Sequence, residues 1–201
     1  MKLFSEVAIV TDYTMIEIAQ ALRAVLESYR IRVVFHRLVQ KPQVLDFFQA
    51  DRQFPYTVVI CHGLSEPGKE PALHFEVVEQ KDESYENTES WSLVTFKMTP
   101  SIVRESVRGR AGTLISIACG SGHPQLADAF LGAGYSSYIA PIESYYSADA
   151  ATAFLTSFFY LLRSEDRDYA THTYTEAEAV KEAGKLDEVF ECGPRVFRHY
   201  S

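Results

Sequence analysis

The chain has 201 residues, enough to bury one sizeable core, so a single domain is expected. Its 47% hydrophobic and 23% charged residues suit a folded globular protein, and no stretch approaches the roughly 18 consecutive apolar residues of a membrane span. A net charge of -8 argues against nucleic acid or an anionic membrane as partner, since both call for a basic surface, and makes a basic peptide the easier electrostatic match.

The first residues, Met1 to Glu6, lack the pattern of a secretory signal, so a cytoplasmic protein is expected. Cys61, Cys119 and Cys192 cannot all pair and lack the close spacing of a zinc site or a redox Cys-x-x-Cys. At least one thiol is free, which suits a reducing compartment.

In chain order, residues 6–12 (EVAIVTD) read as a first strand. Thr14 and Glu17 have capping-box spacing, predicting a helix that starts there with Ile18, Ala19, Leu22, Val25, Leu26 and Tyr29 as its apolar stripe. Residues 32–38 predict a second strand, and Pro42 with Val44, Leu45, Phe47 and Phe48 a short helix packed under the sheet. Residues 56–61 predict the third strand. This alternation favours an α/β fold, a three-layer sandwich with a mostly parallel sheet and helices on both faces.

Between 63 and 99 the period changes to two. Residues 73–80 and 91–98 alternate as strands around a polar, acidic link, predicting an inserted β-hairpin around 70–98. Thr99-Pro100 then opens a helix that exits near Arg108-Gly109-Arg110. Residues 113–119 (TLISIAC) form an apolar run ending on a thiol and Gly120-Ser121-Gly122. Pro124 opens the next helix, 136–141 is another strand, Ser147 caps a helix that is apolar nearly all round, and Thr175 with Glu178 caps a last one. The tail from 191 has no clear period.

Two of these strands end on chemistry. Val58-Val59-Ile60-Cys61 delivers His62-Gly63, and Leu114-Ile115-Ser116-Ile117-Ala118 delivers Cys119. Parallel α/β sheets gather functional groups where the strands' carboxyl ends open into loops, so the two termini can share one crevice. A thiol attacks a carbonyl as thiolate, and an adjacent imidazole can take its proton and return it to the leaving amine. Cys119 is the candidate nucleophile and His62 the candidate acid/base, with the backbone amides of Gly63 and Cys119 as the oxyanion hole. No cofactor and no metal is needed for this chemistry. Cys61 points to the opposite face of its strand and reads as buried structure, and His123, four residues after Cys119, reads as a helix cap or a solvent-facing residue in preference to a substrate contact. His36, His74, His172 and His199 have no evident partner.

These segments, with Leu126 to Gly134 and Ser137 to Pro141, make the chain resemble the caspase-like cysteine peptidases, including the bacterial caspase-like and CHAT-type branches, over residues 56–163. The histidine-to-cysteine separation is a little wider than is typical of caspases, which the inserted hairpin accounts for. Ile117-Ala118 stands where caspases carry Gln-Ala, and the arginines that confer aspartate specificity have no counterpart. The resemblance to bacterial relatives instead implies an acidic pocket for Arg or Lys before the scissile bond, with Asp12, Glu143 and Asp149 as substrate-binding candidates. Asp12 and Asp149 read equally well as helix caps. The resemblance further implies signal-triggered proteolysis in antiviral defence or cell death, with a peptide or protein substrate and a small-molecule or protein activator. The alternative is a non-catalytic caspase-like module that binds a partner or signalling ligand in the same crevice. A nucleotide- or flavin-binding domain ranks last, because Thr11-Asp12-Tyr13-Thr14 lacks the glycines of a phosphate loop.

Overall fold

A computed structural model describes residues 6–50, 54–64, 68–81, 90–108, 111–163, 174–190 and 196–201. The hairpin's connecting segment, Cys192, His172 and the Gly109-Arg110 exit lie outside the described residues.

Six strands form the main sheet: β1 (Glu6–Thr11), β2 (Arg32–Arg37), β3 (Tyr56–Ile60), β7 (Thr113–Ser116), β8 (Ser137–Pro141) and β9 (Phe197–Tyr200), in the spatial order β2-β1-β3-β7-β8-β9. All neighbouring pairs are parallel except β8 with β9. The remaining strands, β4 (His62–Leu64), β5 (Ala72–Lys81) and β6 (Ser90–Met98), make a second, antiparallel sheet in the order β4-β5-β6. The α/β class and the mostly parallel sheet expected from the sequence are therefore present.

Alternation along the central strands sends side chains into two apolar layers. Val7, Ile9, Val58, Ile60 and Ile115 pack with helices α1 (Ile16–Ser28), α5 (Ala148–Leu162) and α6 (Glu176–Ala183). Ala8, Val10, Val59, Cys61 and Leu114 pack on the other face with α2 (Lys41–Gln49), α3 (Pro100–Ser106), α4 (Pro124–Gly132) and the β5–β6 hairpin. The chain moves outward from β1 to β2, then returns to β3 on the other side of β1. That reversal makes the carboxyl ends of β1 and β3 the switch point of the sheet, and the β5 strand of the hairpin packs over Asp12 there.

The hairpin is part of the core. Leu73, Phe75, Val77, Phe96 and Met98 are its buried inner face, each apolar side chain contributing roughly 1.5–3 kcal/mol when fully buried. Phe75 meets Phe48 of α2 edge-on, with ring centroids 6.4 Å apart. Two backbone donors fasten β5 to the body, Val78 N–H to the Val39 carbonyl at 2.7 Å and Glu76 N–H to Asp12 Oδ2 at 3.1 Å.

At the opposite end of the sheet, the Glu176 carboxylate of α6 accepts from Tyr56 Oη at 2.8 Å and Thr113 Oγ1 at 2.6 Å, and lies 3.4 Å from His199 Nε2. Burial alone would raise this carboxyl, but hydrogen bonds from His199, Thr113, Tyr56 and Ser137 outweigh it and hold the pKa down at about 2. Burial, reinforced by the Glu176 charge, pushes the Tyr56 phenol up. The ionised carboxylate thus anchors α6 to the amino ends of β3, β7 and β8.

Three elements differ from expectation. Helix α1 begins at Ile16 without a side-chain cap on Met15, because Asp12 Oδ1 already accepts the amides of Thr14 and Met15 at 2.9 and 3.1 Å. The Thr14–Glu17 capping box therefore does not form. The tail that showed no period supplies β9, whose Phe197 stacks on Phe154 of α5. His62 opens a strand of the second sheet instead of a loop.

Candidate active site

The loop after β7 begins as a continuation of the ladder, with Ile117 N–H donating to the Val59 carbonyl at 3.1 Å. It then turns sharply at Cys119 and Gly120, the latter in the left-handed region at φ 65°. Gly120 N–H donates to the Glu143 carbonyl at 2.6 Å and Gly122 N–H to the Pro141 carbonyl at 2.7 Å, so the loop beyond β8 braces this turn. Below it lies a buried hydroxyl cluster. Ser121 Oγ sits 2.6 Å from the Ala118 carbonyl and 2.9 Å from Ser116 Oγ, which accepts from Ala118 N–H at 3.1 Å. Tyr138 Oη donates to the Ser121 carbonyl at 2.9 Å, and Tyr200 Oη donates to the Gly122 carbonyl. Burial pushes the Tyr138 phenol up, which keeps it a donor. The nucleophile candidate therefore stands on a rigid floor.

Cys119 itself is half-buried, and its Sγ donates to the Tyr146 carbonyl at 3.6 Å. Among the described residues its amide N–H has no acceptor.

His62 is exposed and leads β4, which pairs antiparallel with β5 in the register His62 with His74, Gly63 with Leu73 and Leu64 with Ala72. The decisive contact comes one residue later. A Cβ placed on Gly63 would lie 2.2 Å from the Cys119 carbonyl oxygen and 2.7 Å from the Cys119 amide nitrogen. Only glycine permits that approach. The ends of the histidine and cysteine segments, far apart in sequence, are thus pressed together backbone to backbone. Among the described residues the His62 imidazole makes no hydrogen bond, and the thiol is turned to Tyr146 instead of to the ring. Catalytic hydrogen bonds are often open before substrate binds.

Cys61, the neighbouring thiol, is fully buried and donates to the His62 carbonyl at 3.3 Å. Burial, aided by the negative charge of Asp12, pushes it well above the ordinary thiol value, leaving it inert at neutral pH. His123 Nδ1 accepts from Gln125 N–H at 3.2 Å as the N-cap of α4.

The three acidic candidates have different settings. Asp12 is fully buried with both oxygens engaged, Oδ1 by Thr14 and Met15 and Oδ2 by Glu76. Its contacts are those of a cap and a tie to the hairpin. Glu143 is exposed beside the Cys119 turn, to which its carbonyl is bonded. Asp149 is exposed in the first turn of α5 and lines a groove with Glu17, Ile18 and Leu186 between α1 and the 3-10 turn Gly184–Glu188. Among the described residues no group of three or more His, Cys, Asp or Glu side chains is placed to hold a metal ion, and no helix is long and apolar enough to cross a membrane. No protein-family model matches the chain, and no curated protein matches it either.

Sequence reading did not single out Ser116, Ser121, Tyr138, Tyr200, Tyr146 or His74 for the site. The serines carried a faint signal, polar positions in an otherwise apolar strand and turn. The tyrosines arrive from β8, β9 and the loop between β8 and α5, and local pattern cannot announce such contacts.

Proposed function

We propose that this protein is a caspase-like cysteine endopeptidase acting on peptide or protein substrates through His62 and Cys119. One observation carries the reading: the Gly63 backbone lodges against that of Cys119, so the chain segments that bear the imidazole and the thiol meet. A mostly parallel sheet covered on both faces is compatible with it.

In this reading His62 takes the Cys119 proton, and the thiolate adds to the scissile carbonyl. The amides of Gly63 and Cys119 bind the resulting oxyanion. His62-H⁺ then protonates the departing amine, and water, deprotonated by the same ring, hydrolyses the thioester to restore the thiol. The unused Cys119 amide suits the oxyanion role. Glu143, exposed beside the nucleophile, is the stronger candidate to attract a basic residue before the cut, with Asp149 farther along the α5 face. The net charge of -8 adds a general attraction for basic substrates. The proposal includes cytoplasmic, signal-triggered proteolysis in antiviral defence or cell death, as the family resemblance implies.

A fluorogenic peptide library that varies basic against acidic residues before the scissile bond tests the reading. Cleavage after Arg or Lys, abolished in Cys119→Ala and in His62→Ala, is the expected result. The thiol's bond to Tyr146, in place of His62, favours a second reading, a non-catalytic binding module. In that case the purified protein cleaves nothing in the library, and partner binding survives Cys119→Ala.

A further inference from the structure

His62 and His74 stand directly opposite each other on β4 and β5. Opposed residues of an antiparallel pair share one face of the sheet, with Cβ atoms roughly 4.5–5.5 Å apart, so the two imidazoles are within reach of each other. Their burial differs. His62 is exposed, whereas His74 is half-buried and its Nε2 is shielded from solvent. One ring is free to swing and the other is held.

The held ring belongs to a fixed row. Lys97 of β6 lies opposite His74 on its other side, and Glu76, two residues along the same face, accepts from Thr95 Oγ1 at 2.7 Å while its amide is tied to Asp12. His74 thus sits on a strand fastened at the rim of the main sheet.

A dyad base needs this kind of support. Alternation along β4 sends the Gly63 direction toward Cys119 and the His62 side chain toward the other face, so the ring has to be turned to the thiol about χ1. A base that must turn and then stay is held through its second nitrogen. A neutral imidazole carries one N–H donor and one acceptor nitrogen, so two rings edge to edge satisfy each other.

We propose that His74 is the positioning residue of the site, holding one ring nitrogen of His62 by an imidazole-to-imidazole hydrogen bond so that the other faces Cys119. This rests on the endopeptidase reading for its catalytic meaning. Its geometric content is testable without a substrate.

The experiment compares wild type, His62→Ala, His74→Phe and His74→Gln in the full chain, reading the rate of Cys119 alkylation by iodoacetamide, assigned by peptide mass spectrometry. Phenylalanine fills the same space without a hydrogen-bonding nitrogen, whereas glutamine keeps one acceptor and a donor. His74→Phe is expected to slow alkylation about tenfold, as His62→Ala does, and His74→Gln to stay within about threefold of wild type. On a cleaved peptide the same His74→Phe change lowers kcat by roughly 10- to 100-fold at unchanged KM. Melting curves check that each variant is folded. Equal alkylation rates in wild type and His74→Phe, or a faster rate in the variant, overturn the positioning role. The two readings fail separately: cleavage that survives Cys119→Ala removes the endopeptidase reading, while cleavage lost there but intact in His74→Phe removes only the role of His74.

Discussion

Gly63→Ala is the sharpest perturbation of the proposed site. The new methyl carbon would lie 2.2 Å from the Cys119 carbonyl oxygen and 2.8 Å from the Ala118 carbonyl carbon, both backbone atoms that cannot rotate away. Ordinary contact between such atoms is about 3.3 Å, so β4 and the cysteine turn must part by roughly 1 Å. Overpacking of that kind costs about 1–3 kcal/mol, which in a chain of this size lowers Tm by roughly 3–10 °C. The catalytic loss should be larger. A 1 Å displacement of one oxyanion donor corresponds to about 100- to 1,000-fold in kcat. Steady-state cleavage of the best library peptide and a thermal melt, run side by side, separate the two effects. Gly132→Ala serves as control, because an added Cβ there meets nothing within 4 Å, and it should leave both readouts within error. A Gly63→Ala protein with wild-type kcat and wild-type Tm would show that the close approach does not exist.

Ser121→Ala removes the buried hydroxyl between Ser116 and the Ala118 carbonyl; we expect a loss of about 1–3 kcal/mol in urea unfolding and slower Cys119 alkylation. Under native conditions iodoacetamide should label Cys119 and spare Cys61, whose buried thiol becomes reactive only after denaturation, as peptide mapping will report. Glu176 supplies a pH prediction. Its folded pKa, about 2, lies below the ordinary 4.5, so its contribution is complete above the unfolded value and fades as pH falls from about 4.5 through 2. Urea unfolding across that range should show the fade in wild type and a flatter profile in Glu176→Gln. Glu176→Ala, which leaves the Tyr56 and Thr113 hydroxyls without their acceptor, should lower stability at neutral pH by about 1–3 kcal/mol per stranded donor.

Strands β1, β2, β3, β5, β6, β7 and β8 were legible because each is a run of β-branched and aromatic residues with a strong period or an unbroken apolar stretch. Thr99, His123, Ser147 and Thr175 were readable as N-caps because a cap is a local device, and each accepts from an amide two or three residues ahead. β4 was missed because His62-Gly63-Leu64 is too short to carry a period, and its status as a strand depends on β5 arriving beside it. β9 was missed for a similar reason. Its pairing partner lies on β8, and Phe197 finds its stacking partner on α5. The choice at Asp12 between cap and pocket turned on the Glu76 amide, which comes from the hairpin. The nearness of Gly63 to Cys119 was inferable from strand-end logic. The row of His62, His74 and Lys97 was not, since hairpin register is invisible until the strands pair.

The hydrogen bond from Tyr200 to Gly122 has a consequence for how the molecule comes into being. Among the described strands β9 is the last to be made, and it completes both the sheet edge and the support under the cysteine turn. A nascent chain that already carries His62 and Cys119 lacks that buttress until residue 200 has emerged. The order of translation therefore leaves the turn that carries Cys119 without this support until Tyr200 has been made.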